Sequence, residues 1–206
     1  YAIDETAVAA LASAWANSLA DEDLLDMFKS GLLTLPAISV LESRMKPADP
    51  VALFHARRAV EAALGRVLAP QIKSALTDDN MAIMAKTDGG RALLNRLLAM
   101  AIAAGDSDAI ERAAKQVHDQ NMTLSQGALV ALNHCAHPAR AIALQVFHDR
   151  WQDSPLVMEK WFMMESMSLV SGTVARLGEL MAHPAFDANN PNKLRSVLGA
   201  FMTGNP

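Results

Sequence analysis

The sequence predicts an all-α fold, a superhelical array of antiparallel helix pairs. Three observations predict it. Hydrophobic residues fill 51% of the 206 positions while aromatics fill 5%, with a single Tyr, so the apolar content is mainly Ala, Leu and Met, which favour helices over strands. Apolar residues recur at three- and four-residue spacing along almost the whole chain. The breaks between these stretches are short, which makes consecutive helices antiparallel neighbours.

The elements follow in order. Val8, Leu11, Trp15 and Leu19 mark one face of a helix from Thr6 to about Leu19, and a second helix runs from about Glu22 to Leu33. Pro36 suits the first turn of a third, Ala37 to Met45, where its missing N–H is harmless. Asp49-Pro50 reads as an N-cap and a first-turn proline opening a long helix to Val67, which Pro70 ends or kinks before a continuation to about Leu76. Thr77-Asp78-Asp79-Asn80 caps the next segment, and Thr87-Asp88-Gly89-Gly90 is a break before a strongly apolar helix from Arg91 to Ala104, ended by Gly105. Four more helices follow: Asp106 or Ser107 to about Asp119, Thr123 or Ser125 to about Cys135, Pro138 to Trp151, and Pro155 to Ser168. This beat is that of armadillo/HEAT-like arrays, although no residue-level repeat accompanies it.

A chain of this length buries roughly 70% of its unfolded surface, enough for one cooperative core, and residues 1–206 are expected to form a single helical domain. The net charge is -4, with both signs interspersed, so no concentrated basic face is offered to nucleic acid. Arg57, Arg58 and Arg66 form the densest basic group, and with Glu61 in helical reach they read as a solvated face. The lone Cys135 makes no internal disulfide, which fits a reducing, cytoplasmic setting. There is no apolar run of membrane-spanning length, and no membrane partner is expected. The opening Tyr1-Ala2-Ile3 has no initiator Met and neither the basic start nor the apolar core of a signal peptide, as expected for a portion of a longer polypeptide.

No constellation in the chain is a self-sufficient active site. The histidines are His55, His118, His134, His137, His148 and His183, and no His-Glu-x-x-His places two imidazoles one turn apart with a glutamate between them. The nearest substitute, Asn133-His134-Cys135-Ala136-His137, has a spacing of three, no carboxylate, and Pro138 interrupting the helix, so the expected role is structural. Cys135 as a nucleophile is equally weak. Gly89-Gly90 lacks the lysine of a phosphate loop, and Asp21, Glu22, Asp23 and Asp26 serve a helix start. Met158, Met163, Met164 and Met167 gather around Trp161 and Phe162, which reads as core filling with Trp161 as the anchor.

Two segments are more specific. Pro155-Leu156-Val157-Met158-Glu159-Lys160-Trp161-Phe162, then Asn190-Pro191-Asn192-Lys193-Leu194-Arg195-Ser196 through Phe201 and Gly204-Asn205-Pro206, closely resemble the C-terminal helical domain of the bacterial aminopeptidase N family. Leu33-Thr34-Leu35-Pro36 and Asp49-Pro50-Val51-Ala52 extend the resemblance upstream, so it covers most of the chain. It implies a zinc-dependent enzyme of four domains, with zinc and all catalytic residues in a separate catalytic domain and no cofactor in this chain. The expected partners are that catalytic domain, in the same polypeptide, and the peptide substrate. The resemblance also implies that the helical domain caps the catalytic domain, encloses the substrate cavity and limits access. Arg195 is the residue the resemblance points to as a contact for substrate carbonyls or a terminal carboxylate, a task suited to a planar guanidinium. A solvated Lys193–Arg195 pair is the plain alternative for those residues. The family's chain continues beyond Gly-Asn-Pro, so both ends are expected to lie inside a larger protein. A free-standing helical-repeat scaffold binding a protein partner is the alternative function.

Overall fold

The structure, a computed structural model, describes residues 3–205. Tyr1, Ala2 and Pro206, which entered the readings of the two chain ends, lie outside the described residues. Among those described the elements are helical, in keeping with the predicted class. They are α1 (Glu5–Ala20), α2 (Asp26–Leu32), α3 (Ile38–Glu42), α4 (Pro50–Val67), α5 (Ala69–Ala75), α6 (Asp78–Met84), α7 (Asp88–Ala103) and α8 (Ser107–Gln116). Then come α9 (Met122–Leu132), α10 (Pro138–Trp151), α11 (Pro155–Ser166), α12 (Thr173–Met181) and α13 (Pro191–Leu194), which runs through a π-helical turn, Arg195–Gly199, into α14 (Ala200–Gly204). The chain divides after Ala109 into two compact units. No helix among the described residues is long and apolar enough to cross a membrane.

Side-chain caps fix most of the helix starts. Asp4 accepts from Ala7 N–H at 3.0 Å, Asp49 from Ala52 N–H at 2.9 Å and Thr87 from Gly90 N–H at 3.0 Å, each satisfying an amide that has no partner inside its helix. Where the structure departs from the expected boundaries, local chemistry explains it. The second helix starts at Asp26 and not at Glu22, because the Asp21 carboxylate accepts from Asp23 N–H at 2.9 Å and holds a turn there. The third is shorter than Ala37–Met45 and leaves Pro36 outside, where its carbonyl accepts from Arg57 Nε at 2.8 Å. The ninth begins one residue early, since Asn121 caps it by accepting from Thr123 N–H at 2.9 Å.

Gly89-Gly90 is not a break: both residues lie in the first turn of α7. Their glycine identity reflects packing, since a Cβ on Gly90 would stand 2.1 Å from the Met84 carbonyl oxygen and one on Gly89 2.9 Å from Met27 N.

The N-terminal unit is built on α7, whose Leu93, Leu94, Leu97, Leu98, Met100 and Ala101 are buried and which packs against α2, α4 and α6. Full burial of each such leucine contributes about 1.5–3 kcal/mol. The expected solvated face is only partly realised, because Arg57 and Glu61 are drawn inward while Arg58 and Arg66 stay exposed. Glu61 pairs with Arg57 at 3.4 Å and with Arg96, and the two guanidiniums donate onward to the Leu33, Leu35 and Pro36 carbonyls. The extended connection between α2 and α3 is thereby tied to α4 and α7.

The C-terminal unit is built on α11, which packs against α10, α12 and the run from α13 to α14, with α9 against α10.

A paired glycine experiment tests these contacts. In α4, Gly65 faces α7 so closely that a Cβ would lie 2.5 Å from the Met100 carbonyl oxygen, whereas Gly178 in α12 has nothing within 4 Å. Gly65→Ala is expected to cost roughly 1–3 kcal/mol in urea unfolding, and Gly178→Ala to gain up to about 1 kcal/mol from helix propensity alone.

Candidate functional site

The segments that carried the specific resemblance meet around α11. Asn190 caps α13 by accepting from Asn192 N–H at 3.0 Å, and Pro191 takes the first helical position. Lys193 is 6% exposed: its Nζ donates to the Pro155 carbonyl at 3.0 Å and lies 5.5 Å from the centroid of the Phe162 ring. Ser196 is buried and its hydroxyl donates to Lys193 O at 2.8 Å. Asn205 Nδ2 donates to Ser166 O at 2.9 Å. Both ends of the second segment are therefore fastened to α11.

Arg195 is the exception. It is exposed at the first position of the π-helical turn, where the backbone widens locally, and its guanidinium makes no hydrogen bond or ion pair among the described residues. The structure thus separates the Lys193–Arg195 pair, since the lysine is a buried anchor and the arginine faces solvent.

Trp161 is buried at 4% exposure, and its indole N–H donates to Leu144 O at 3.1 Å. Met158 and Met164 fill the core beside it, while Met163 is 39% exposed. His148 and His183 stack on Trp161 at centroid distances of 4.9 and 5.5 Å, and Phe186 meets Phe162 edge-on.

The hydrogen bonds of the two histidines fix their protons. His183 Nδ1 accepts from Ala185 N–H at 3.0 Å, so neutral His183 carries its proton on Nε2 and donates it to His148 Nε2 at 3.2 Å. His148 must then be protonated on Nδ1, which donates to Asp149 Oδ1 at 3.0 Å. Burial lowers the pKa of His183, with the charges of His148, Arg176 and Lys193 adding to the shift, and the bond from His148, then that from Gln145, lowers that of Asp149.

Beside this cluster a cavity of about 410 Å³ lies among α10, α11 and the start of α12. Trp161 and Leu144 form an apolar wall, and Arg140, Glu165, Arg176 and Glu179 supply the charges. Glu165, on α11, is buried between Arg140 at 3.4 Å and Arg176 at 2.9 Å, and Arg176 also meets Glu179 at 2.5 Å. Arg140 Nε donates to the Asn133 carbonyl at 2.9 Å, and burial pulls its pKa down from the usual guanidinium value against the pull of Glu165. No spacing pattern along the chain reveals this network, whose members are scattered over three helices.

The His134–Cys135–His137 segment lies in the connection between α9 and α10, so the two imidazoles share no helical face. His137 caps α10, its Nδ1 accepting from Ala139 N–H at 3.2 Å, and Cys135 is half-buried. Among the described residues no three His, Cys, Asp or Glu side chains are grouped to hold a metal.

Short helices packed pairwise in this way define an all-helical repeat domain. Residues 2–206 match the model of a family described as a domain of unknown function (DUF3458_C) with ARM repeats, and the chain belongs to that family. It is 29% identical to aminopeptidase N of Escherichia coli over 201 residues, covering 95% of this chain and 23% of the relative. It is 31% identical to aminopeptidase N of Caulobacter vibrioides over 215 residues, covering 98% and 24%. The crystal structure of Legionella pneumophila aminopeptidase A in complex with aspartic acid shares the fold, with a TM-score of 0.79 at 21% identity over 93% of this chain and 24% of that one. The chain thus spans about a quarter of the length of these relatives.

Two outcomes are expected here. Trp161→Ala removes a buried indole and should destabilise the protein by roughly 3–5 kcal/mol in denaturant unfolding. With the pKa of His183 below its unfolded value of 6.5, the unfolded chain takes up a proton first on acidification. Stability should therefore fall as pH drops below about 6.5, until native His183 itself protonates, and His183→Asn should flatten that part of a melting-temperature profile.

Proposed function

We propose that this chain is the non-catalytic helical part of a zinc-dependent aminopeptidase, a cytoplasmic enzyme that removes N-terminal amino acids from peptides. It caps the catalytic domain of the same polypeptide, encloses the substrate cavity and limits which peptides enter. The family and the two aminopeptidase N relatives support the class of enzyme, and their fourfold greater length leaves room for a catalytic domain elsewhere in the polypeptide. In this reading zinc belongs to that domain.

The observation that carries the role of this part is the isolation of Arg195. Around it Asn190, Pro191, Lys193 and Ser196 each have a structural task, whereas the Arg195 guanidinium is left free at the surface. It is a bidentate donor for a substrate carbonyl or terminal carboxylate.

In the whole enzyme, Arg195→Ala should raise KM for peptides of several residues by roughly tenfold to a hundredfold, the worth of a charged hydrogen bond, while KM for an amino-acid anilide stays near that of the parent. Equal effects on both substrates would overturn the assignment of Arg195. The division of labour is tested separately: the present chain alone should show no peptidase activity and the whole enzyme should be active.

A further inference from the structure

The cavity beside Trp161 has no task in the reading above, and Arg195 does not line it. Its two guanidiniums and two carboxylates balance in number but not in burial. Two guanidiniums, Arg140 and Arg176, share Glu165, whose side chain is only 7% exposed, while Glu179, the second partner of Arg176, is 65% exposed and screened by water. The inner trio therefore carries a surplus positive charge, and in a partly dry cleft such a charge draws an anion more strongly than it would in bulk water.

One donor is also left over. Arg140 uses Nε on Asn133 O and Nη2 on Glu165, and its Nη1 has no protein partner among the described residues. The lining also carries apolar residues, Trp161, Leu144, Ala141, Val170 and Ala175, with the Arg176 guanidinium over the Trp161 ring. A volume of about 410 Å³ is at the small end of ligand pockets.

We infer that this cavity binds a small carboxylate bearing an apolar group, of the size of an acylated amino acid. The carboxylate accepts from Arg140 Nη1 beside Arg176, and the apolar group lies against Trp161 and Leu144. A free acid and the C-terminus of a peptide present the same chemistry.

The test is titration of the intact protein with N-acetyl-L-leucine at neutral pH and low salt, followed by tryptophan fluorescence. The blocked amino group keeps this probe from acting as an aminopeptidase substrate. Saturable one-site binding is expected, weakened about tenfold or more by Arg176→Gln and lost in Ala141→Phe, which fills the cavity from an exposed position. N-acetyl-L-leucinamide, which lacks the carboxylate, should not bind. An acetylated tripeptide ending in leucine separates the sources: binding equal to that of the single residue assigns a peptide C-terminus, and no binding assigns a free acid. The inference is overturned if the acid and the amide bind alike, if neither saturates, or if both variants keep the fold by circular dichroism and bind as the parent does. None of these outcomes depends on peptidase activity, so they stand apart from the test of Arg195.

Discussion

The C-terminal unit depends on the buried face of α11. An indole is too large to bury without a place for its N–H, and Trp161 finds one in the Leu144 carbonyl, which fixes the approach of α10. Once that contact is made, His148 and Arg176 lie against the same ring, so α10 and α12 are oriented by one side chain. Phe162 on the adjoining face receives His183 and the ammonium of Lys193, which brings in the run from α13 to α14. Hydrophobic burial supplies the drive, and the polar contacts, directional and costly to leave unmade, select this arrangement over other apolar packings.

The N-terminal unit solves a related problem with charge. Glu61 and two arginines are drawn inward, and such a group is stable only if its charges are paired, as they are here although Arg96 Nη2 has no hydrogen-bond partner. The carboxylate answers both guanidiniums, and the guanidiniums answer the carbonyls of residues 33, 35 and 36, which as an extended connection have no helical partners. Removing Glu61 would leave two half-buried cations without their carboxylate, so the group acts as one element.

Much of this was legible in the sequence because helices announce themselves locally. Asp49-Pro50, Thr77, Pro138 and Pro155 mark starts through chemistry confined to three or four residues, and the structure places helices there. The misreadings have a common cause, a local signal outweighed by a competing contact. Gly89-Gly90 looked like a break, but glycine was needed for the close passage of Met84 and Met27. The alternative of a solvated Lys193 fails because its partners, Pro155 and Phe162, lie over thirty residues away. The Arg140–Glu165–Arg176 network was invisible for the same reason: no spacing rule joins residues on three helices, and each looks like an ordinary surface charge.

Specific sequence patterns are commonly taken to mark function, and here the contacts divide the pattern in two. Lys193 joins the two segments through Pro155 and Phe162, and Asn190 and Ser196 serve their own turn, so these residue types have structural tasks. Folding does not require a guanidinium at position 195. An exposed arginine leading a π-helical turn satisfies no neighbour and holds its charge in solvent. The buried anchors around it keep its backbone from wandering, and a free cation on a fixed backbone loses less entropy on meeting an anion than one on a mobile loop. If Arg195 meets substrate as proposed, the structural residues of the segment contribute indirectly, by holding that donor in place.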